Sequence, residues 1–276
     1  MFSHPLLFSC LRTVLLCLAA LLVSAWHMAA KAAEPGLAPV TVTATRDPVE
    51  KSYRKMLQGM EVFERLHALA PQARLRYKLL PRQPGTPLDG MVLKVVGDSV
   101  TLNVPVAADH TFTLERNQRA MDEDAQVIPN RKTRSMTWRT DIRTPGLPAN
   151  TRRLGDLRLE CEVGVAANLL SENLPLLGTL NRVLSGAQGI CRSSPTRYLL
   201  FADKPVFSVT MVHGARRQTM PVNDLYLGQF WRKVSANELA HSDAQALVDR
   251  TYALPLADAS WPDDTLIEFE WMEEGA

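Results

Sequence analysis

The chain is organised around residues 152–192, RRLGDLRLECEVGVAANLLSENLPLLGTLNRVLSGAQGICR. Its first part, GDLRLECEV, alternates polar and apolar residues, and this alternation predicts a β-strand. The apolar part that follows predicts a helical connector over residues 166–190, broken at Pro175. We expect this connector either to lie buried between layers or to expose an apolar patch. Because β-rich sequence lies on both sides, the stretch predicts two β units joined by helices.

Two cysteines, Cys161 and Cys191, lie in this stretch, and they are the only ones outside the N-terminal 33 residues. In an exported chain this count favours a disulfide between them, and two buried free thiols are the alternative. On the chain-entropy model, closing a loop of about 31 residues stabilises the fold by about 3–4 kcal/mol.

The N-terminal residues 1–33 have the pattern of a secretory signal peptide. A weakly basic start with Arg12 precedes the apolar run 13–23, and the residues Ala30-Lys31-Ala32 fit the small-residue cleavage pattern. The apolar run is short for a membrane-spanning helix, which needs ~20 residues. We therefore expect a periplasmic or secreted protein with no transmembrane span after cleavage.

The charge balance argues against nucleic acid as a partner. The full chain has 31 Lys and Arg against 29 Asp and Glu. Cleavage after Ala32 would remove Arg12 and Lys31 and no acid, which leaves a formally neutral mature chain. Binding to a polyanion requires a basic surplus. The hydrophobic content of 46% is sufficient for a folded core and argues against overall disorder.

The segment after the leader predicts an extended stretch at residues 34–46 and a helix at residues 47–71. The extended stretch contains VTVTAT, which alternates as a strand does. The helix is predicted to begin at Asp47 as N-cap, with Pro48 at the first helical position and Glu50 completing a capping box. Apolar residues spaced by threes and fours then form one stripe, which should pack on a sheet.

Short alternating segments predict a first β unit over residues 72–165, with a polar loop at 116–130, and a second β unit over residues 191–276. Turn-rich sequences separate these segments, a pattern typical of antiparallel sandwiches and barrels. The second unit also contains a predicted helix at residues 235–250, opened by Ser235 and Glu238. The predicted fold class is mainly β with added helices, arranged as an antiparallel β-sandwich.

The two β units show traces of an internal duplication. The segment 91–106, MVLKVVGDSVTLNVPV, aligns without a gap on residues 207–222, FSVTMVHGARRQTMPV. RYKLL at 76–80 is similar to RYLLF at 197–201, and GDLRLECEV is similar to DTLIEFEWM. Two related sandwiches, or one sandwich with inserted helices, both fit these traces.

The segment 107–114, AADHTFTL, resembles the turn and strand of carboxypeptidase-regulatory and transthyretin-like β-sandwich domains, with His110 in place of the usual glycine. The chain as a whole resembles uncharacterised exported proteins of Gram-negative bacteria. These resemblances imply a sandwich fold and no particular activity.

No motif in the sequence identifies a catalytic, cofactor-binding or metal-binding residue. The four histidines outside the leader lack metal-ligand spacing, and the nucleophile motif G-x-S-x-G is absent. We therefore predict no cofactor. One cluster of basic residues forms a candidate binding surface: Arg131, Lys132, Arg134, Arg139, Arg143, Arg152 and Arg153.

This basic cluster has two interpretations. It either lies near the acidic C-terminal stretch and offsets its charge, or it forms a groove for anionic glycans or lipid headgroups. Our first functional hypothesis is a non-catalytic envelope module that binds a protein, glycan or lipid partner through sheet edges, the apolar connector or the basic strands. The exposed strand at 40–45 would add to a partner's sheet. The alternatives are a hydrolase of cell-wall or extracellular material and a soluble lipid or small-ligand carrier.

Overall fold

The computed structural model describes residues 50–81, 85–130, 136–169, 191–192, 198–226, 228 and 248–273. In these ranges thirteen strands form four antiparallel sheets, accompanied by three α-helices. The predicted class, mainly β with added helices, is confirmed. The leader, the stretch 34–46, nearly all of the connector 166–190 and most of the helix at 235–250 lie outside the described residues.

The helices are α1 (Tyr53–Arg65), α2 (Gln118–Asp122) and α3 (Leu154–Ala166). Short 3-10 helices occupy His67–Leu69 and Val222–Asp224. The strands are β1 (Lys51–Ser52), β2 (Arg74–Pro81), β3 (Leu93–Val96), β4 (Thr101–Val104), β5 (Thr111–Phe112), β6 (Gln126–Pro129), β7 (Met136–Arg143), β8 (Thr151–Arg153), β9 (Leu200–Phe201), β10 (Val206–His213), β11 (Arg216–Thr219), β12 (Thr251–Tyr252) and β13 (Leu266–Trp271).

One structural unit occurs twice in the chain. The first four-stranded sheet has the order β4-β3-β6-β1, and the second has the matching order β11-β10-β13-β8. In both, the short outer strand runs directly into a helix of 13 residues. A smaller pairing, β2 with β5 and β9 with β12, is also repeated. We call residues 51–129 repeat 1 and residues 151–271 repeat 2; β7 lies between them in sequence and pairs with β2.

The register of the strands agrees between the repeats. The gap-free alignment of 91–106 with 207–222 places the opposed pair Val96 and Thr101 onto Val212 and Arg217, which are also opposed. The helix starts agree as well, because the first amide of α1 donates to Ala125 O at 3.0 Å and that of α3 to the equivalent Thr265 O at 2.9 Å. The internal repeat that the sequence left open is present in the structure.

The predicted strand GDLRLECEV is wrong, because these residues form α3. Because α3 is buried on nearly all sides, its sequence has no polar stripe with the period of a helix. The alternation of polar and apolar residues therefore resembles that of a strand. Its first amides are satisfied by the segment leading into β13: Leu154 N donates to Thr265 O and Gly155 N to Asp263 O at 2.8 Å. The second unit therefore begins with β8 rather than at residue 191, and α3 corresponds to α1 rather than to a strand.

The first helix begins later than predicted. The residues Lys51 and Ser52 pair with β6 as β1, so α1 starts at Tyr53, and Ser52 caps it by accepting a hydrogen bond from Lys55 N. The predicted N-cap Asp47 lies outside the described residues. The predicted polar loop at 116–130 also holds α2 and β6. Short elements with few apolar residues carry too little periodicity to be recognised in sequence.

Each repeat has its own hydrophobic core, and a third cluster joins them. The core of repeat 1 lies between α1 and its two sheets, and the core of repeat 2 between α3 and its two sheets. The third cluster lies between α1 and α3. The two helices approach closely at Gly59, where an added Cβ would lie 2.8 Å from the Cβ of Ala167.

The disulfide between Cys161 and Cys191 is confirmed, with a Cα–Cα distance of 5.8 Å. Both residues are buried in the core of repeat 2. None of the helices in the described ranges has the length and apolar character needed to cross a membrane.

Candidate functional site

A network of charged side chains fills the seam between the two repeats, around β7. We call it the seam network. It comprises Arg76, Lys78, Arg139, Asp141, Arg143, Arg152, Glu160 and Asp203. These residues come from β2, β7, β8, α3 and the loop after β9, so the network forms only when both repeats are folded.

The carboxylate of Asp141, nearly fully buried, is bound from both sides. Its two oxygens accept hydrogen bonds from Arg143 Nε at 2.7 Å and from Arg76 Nη2 at 2.6 Å. Burial alone would raise the pKa of Asp141, but Arg143, Arg152 and Arg76 outweigh it and hold that pKa below its usual value. Asp141 is therefore an ionised structural partner of the arginines.

Asp203 links repeat 2 to β2, which carries Lys78, and to β7, which carries Arg143. Its oxygens lie 2.9 Å from Arg143 Nη1 and Nη2, and one accepts from Lys78 Nζ at 3.1 Å. Burial acts to raise the pKa of Asp203, but Arg143 and Lys78 are stronger and lower it to about 2. The bidentate geometry is the one in which an arginine binds a carboxylate most strongly.

The buried pair of Arg152 and Glu160 holds α3 against β7. Arg152 Nη2 donates to Glu160 Oε1 at 2.6 Å and to Ile142 O at 2.7 Å, while Ile142 N donates to Glu160 at 2.9 Å. Burial would lower the pKa of Arg152, but Glu160 raises it instead, so the guanidinium stays charged. Removing one member of such a buried pair leaves the other uncompensated, at a cost of about 3–5 kcal/mol.

The cavity beside the seam network has a volume of about 30 Å³. A water molecule needs roughly 10–15 Å³ measured in this way, so the space fits about two waters or one small ion. A sugar ring or a peptide bond does not fit. Although Asp141 and Glu160 converge here, they are buried and already bound by arginines, so they are not placed to act on an organic substrate.

The structure changes the interpretation of the predicted basic surface. Arg139 and Arg152 are buried, and Arg143 is partly buried between Asp141 and Asp203, so these three do not form an exposed basic groove. Arg153 is half-buried. Arg131, Lys132 and Arg134 lie outside the described residues, and their part of the predicted surface stays a prediction.

The neutralising partners also differ from those expected. The seam arginines pair mainly with Asp141, Glu160 and Asp203 rather than with the acidic C-terminal stretch. An arginine outside the predicted surface does pair with the acidic C-terminal stretch, since Arg158 Nη1 lies 2.5 Å from Asp263. Glu160 and Asp203 could not be recognised from sequence, because Glu160 lies in the helix that the alternation predicts as a strand and Asp203 is an isolated acid in a loop.

The outer edge of β11 is open in the described part of the chain. Met220 N donates a hydrogen bond to Val209 O, so every second residue back along β11, Gln218 and Arg216, also directs its backbone groups towards β10. The backbone groups of Arg217 and Thr219 therefore point outward from the sheet. All four residues of β11 are exposed. An open edge of this kind is a template for pairing with another strand.

An apolar patch lies at one end of the same sheet. We call it the Phe207 patch; it consists of Phe207, Val222 and Met272, which are exposed by 62%, 67% and 37%. The start of β10, the end of β13 and the residues after β11 meet at this end, because the strands are antiparallel. Single exposed apolar residues are common, but three at one sheet end mark a candidate interaction surface.

A β-bulge exposes Phe207. The pairing of β10 with β13 shifts between Val206 and Ser208, so Phe207 is an extra residue in β10. Its alternation with the buried Val209 and Met211 predicts an inward side chain, but the bulge gives the inward place to Val206. Sequence analysis missed this residue, since an alternating run gives no sign of a bulge.

A groove of about 570 Å³ lies beside the disulfide. Two ion pairs border it, Arg158 with Asp263 and Arg192 with Glu162 at 2.7 Å. Its apolar lining residues include Leu66, Leu69, Leu256, Trp261 and Pro262. A volume of this size falls within the range of pockets for small organic ligands, about 300–1,000 Å³.

Among the described residues, no group of three or more His, Cys, Asp and Glu side chains is arranged to hold a metal ion. Comparison of the chain with models of protein families, with curated proteins and with solved structures finds no match. The resemblances to exported proteins and to transthyretin-like sandwiches stay predictions.

Proposed function

We propose that this protein is a non-catalytic binding module of the bacterial cell envelope, periplasmic or secreted. It binds an extended segment of a partner protein as an added strand on the open edge of β11. The observation that carries the proposal is the exposure of Phe207 beside that edge. The stretch at residues 40–45, which the sequence predicts to add to a partner's sheet, lies outside the described residues. The binding at β11 does not require it.

Strand addition explains how the edge and the patch would act together. Backbone hydrogen bonds to Arg217 and Thr219 would supply affinity, and contacts with the Phe207 patch would supply specificity. The side chains of β11 leave this edge free: Arg217 pairs with Glu268 at 2.7 Å, and Arg216 stacks on Trp261 at 3.6 Å. Both guanidinium groups are therefore directed along their own sheet and not across the outer edge of β11.

A hydrolase is the less supported alternative. The carboxylates that converge in the seam network border a space of about 30 Å³ and are bound by arginines. A small-ligand carrier has one specific observation in its favour, the groove of about 570 Å³. Native mass spectrometry of the protein purified from its host separates the two binding functions. A retained organic mass would favour the carrier, and a bare chain would favour the strand-binding module.

The proposal is tested by photo-crosslinking in cells from a benzophenone side chain at position 207. We expect a discrete adduct with one partner protein. Arg217→Pro removes the outward amide of β11, a change that edge strands tolerate, and should abolish this adduct. Arg217→Ala keeps the amide and should retain it. Thr101→Pro, at the equivalent position of repeat 1, should also retain it. An adduct that survives Arg217→Pro would contradict strand addition at β11.

A further inference from the structure

Arg139 is a buried arginine whose charge has no described carboxylate partner. Its residue is 8% exposed, and its guanidinium lies 4.4 Å from the ring centre of Phe201. Its Nη1 donates to the backbone oxygen of Leu169 at 2.8 Å. No carboxylate of the described residues forms an ion pair with it, although the neighbouring Arg143 pairs with Asp141 and Asp203, and Arg152 pairs with Glu160. Arginine is almost never buried without a compensating anion.

Two donors beside the cavity are also unused. Among the described residues, the Nε atoms of Arg139 and Arg152 have no hydrogen-bond partner, and both residues line the cavity of about 30 Å³. The hydrogen bonds of Arg152 to described residues come from Nη2. A buried donor without an acceptor destabilises the fold by about 1–3 kcal/mol. Within the described residues, the cavity is thus lined by an arginine without a carboxylate partner and by two arginines whose Nε donors are unused.

The charges around the cavity are unequal. Four cations line it, Lys78, Arg139, Arg143 and Arg152, against three carboxylates. Every carboxylate is already bound by at least one of these cations or by Arg76. Arg139 and Arg152 are buried, and a counter-anion interacts with a buried charge more strongly than it does in water.

We infer that this cavity binds a small monovalent inorganic anion of halide size, held by Arg139 and Arg152 at the seam of the two repeats. The volume of about 30 Å³ admits one such ion. A water molecule would accept the two hydrogen bonds but would leave the charge of Arg139 uncompensated. The site is independent of strand binding at β11, so failure of either proposal leaves the other standing.

Bromide is the probe that tests this site. In thermal unfolding at constant sodium concentration, we expect the midpoint to rise as sodium bromide or chloride replaces sodium gluconate, and the rise to saturate. Gluconate is too large for the cavity. Arg139→Met should abolish the halide dependence while keeping the midpoint in gluconate at or above that of the parent protein. The exposed-site control Arg217→Ala should keep the dependence.

Anomalous diffraction from a crystal grown in bromide gives a second readout that needs no variant. The inference predicts one anomalous peak inside the cavity, within hydrogen-bond distance of the guanidinium groups of Arg139 and Arg152. Equal midpoints in bromide and gluconate would overturn it. So would a cavity that contains only water, with bromide confined to exposed arginines. These two results decide the question even if Arg139→Met does not fold.

Discussion

Met91 and Phe207 are aligned in the sequences of the two repeats, yet Met91 is 6% exposed and Phe207 is 62% exposed. The repeat thus provides an internal comparison: the aligned residue is core in one copy and surface in the other. The difference follows from the bulge in β10, which makes Phe207 an extra residue and gives the inward place to Val206. Bulges often re-aim a side chain where a protein needs it.

The first prediction uses this pair. Phe207→Ala should change the free energy of unfolding by no more than about 0.5 kcal/mol, since the side chain is exposed. Met91→Ala should lower it by about 2–5 kcal/mol through loss of core packing. Urea denaturation of both variants measures the two effects. Binding to the crosslinked partner should fall only for Phe207→Ala, provided that Met91→Ala is assayed where it is folded. Equal destabilisation would mean that Phe207 is buried.

The second prediction concerns Gly155, the second residue of α3. Helix propensity alone favours Gly→Ala in a helix by about 1 kcal/mol. Here an added Cβ would lie 2.0 Å from the backbone oxygen of Leu69, which cannot move without shifting the chain. Gly155→Ala should therefore destabilise the protein by about 3 kcal/mol, the upper end for overpacking. A stabilised variant in urea denaturation would show that α3 does not pack against the 3-10 helix His67–Leu69 in this way.

The third prediction is the pH dependence of Asp203. Its pKa is lowered in the folded protein to about 2, against about 3.9 in an unfolded chain. A carboxylate whose pKa is lower in the folded protein than in the unfolded chain stabilises the fold at pH values above the unfolded pKa. This contribution is lost as the pH falls from about 4 through about 2. The stability difference between the parent protein and Asp203→Asn should be largest above pH 4 and disappear only below pH 2. A difference that stays constant over this range, in urea titrations, would argue against the ion pairs of Asp203.

The fourth prediction concerns the disulfide. Replacing Cys161 and Cys191 together by alanine should lower the free energy of unfolding by about 3–4 kcal/mol, because the unfolded chain loses its closed loop. Treatment of the parent protein with reductant should give a similar loss and add two hydrogens to its mass. If the mass does not change with reductant, the two cysteines are free thiols in the isolated protein.

The repeat could be recognised from sequence where the two copies keep the same side-chain types. The hairpins aligned without a gap, and their register is the same in the structure. A shorter match lies outside these hairpins: DHTFTL at 109–114 and DRTYAL at 249–254 share Asp, Thr, an aromatic residue and Leu. These segments carry β5 and β12 at equivalent positions, since Thr111 pairs with Lys78 and Thr251 with Phe201.

Other parts of the fold could not be found in this way, for physical reasons. The helix α3 is buried on several sides, so its sequence has no amphipathic period. The match of RYKLL with RYLLF was shifted by two residues: Leu79 N and Ala202 N make the equivalent hydrogen bonds, which places Tyr77 on Leu200 rather than on Tyr198. A shift of two keeps each side chain on the same face, so the hydrophobic pattern does not reveal it.

The candidate surfaces were less predictable than the fold. A run of arginines in sequence indicates positive charge but not its burial, and Arg139 and Arg152 turned out to lie inside the seam. Their carboxylate neighbours come from distant parts of the chain, and only the packing of the two repeats brings them together. The exposure of Phe207 depends on a single extra residue in one strand.

Amide hydrogen exchange of the complex with the crosslinked partner tests the central claim most directly. Strand addition at β11 predicts that partner binding slows exchange at Arg217 and Thr219, whose amides face outward from β10. Exchange at the equivalent Thr101 and Asn103 of repeat 1 should not change. Slowed exchange around the groove at Leu66 and Trp261, with Arg217 and Thr219 unchanged, would contradict the account.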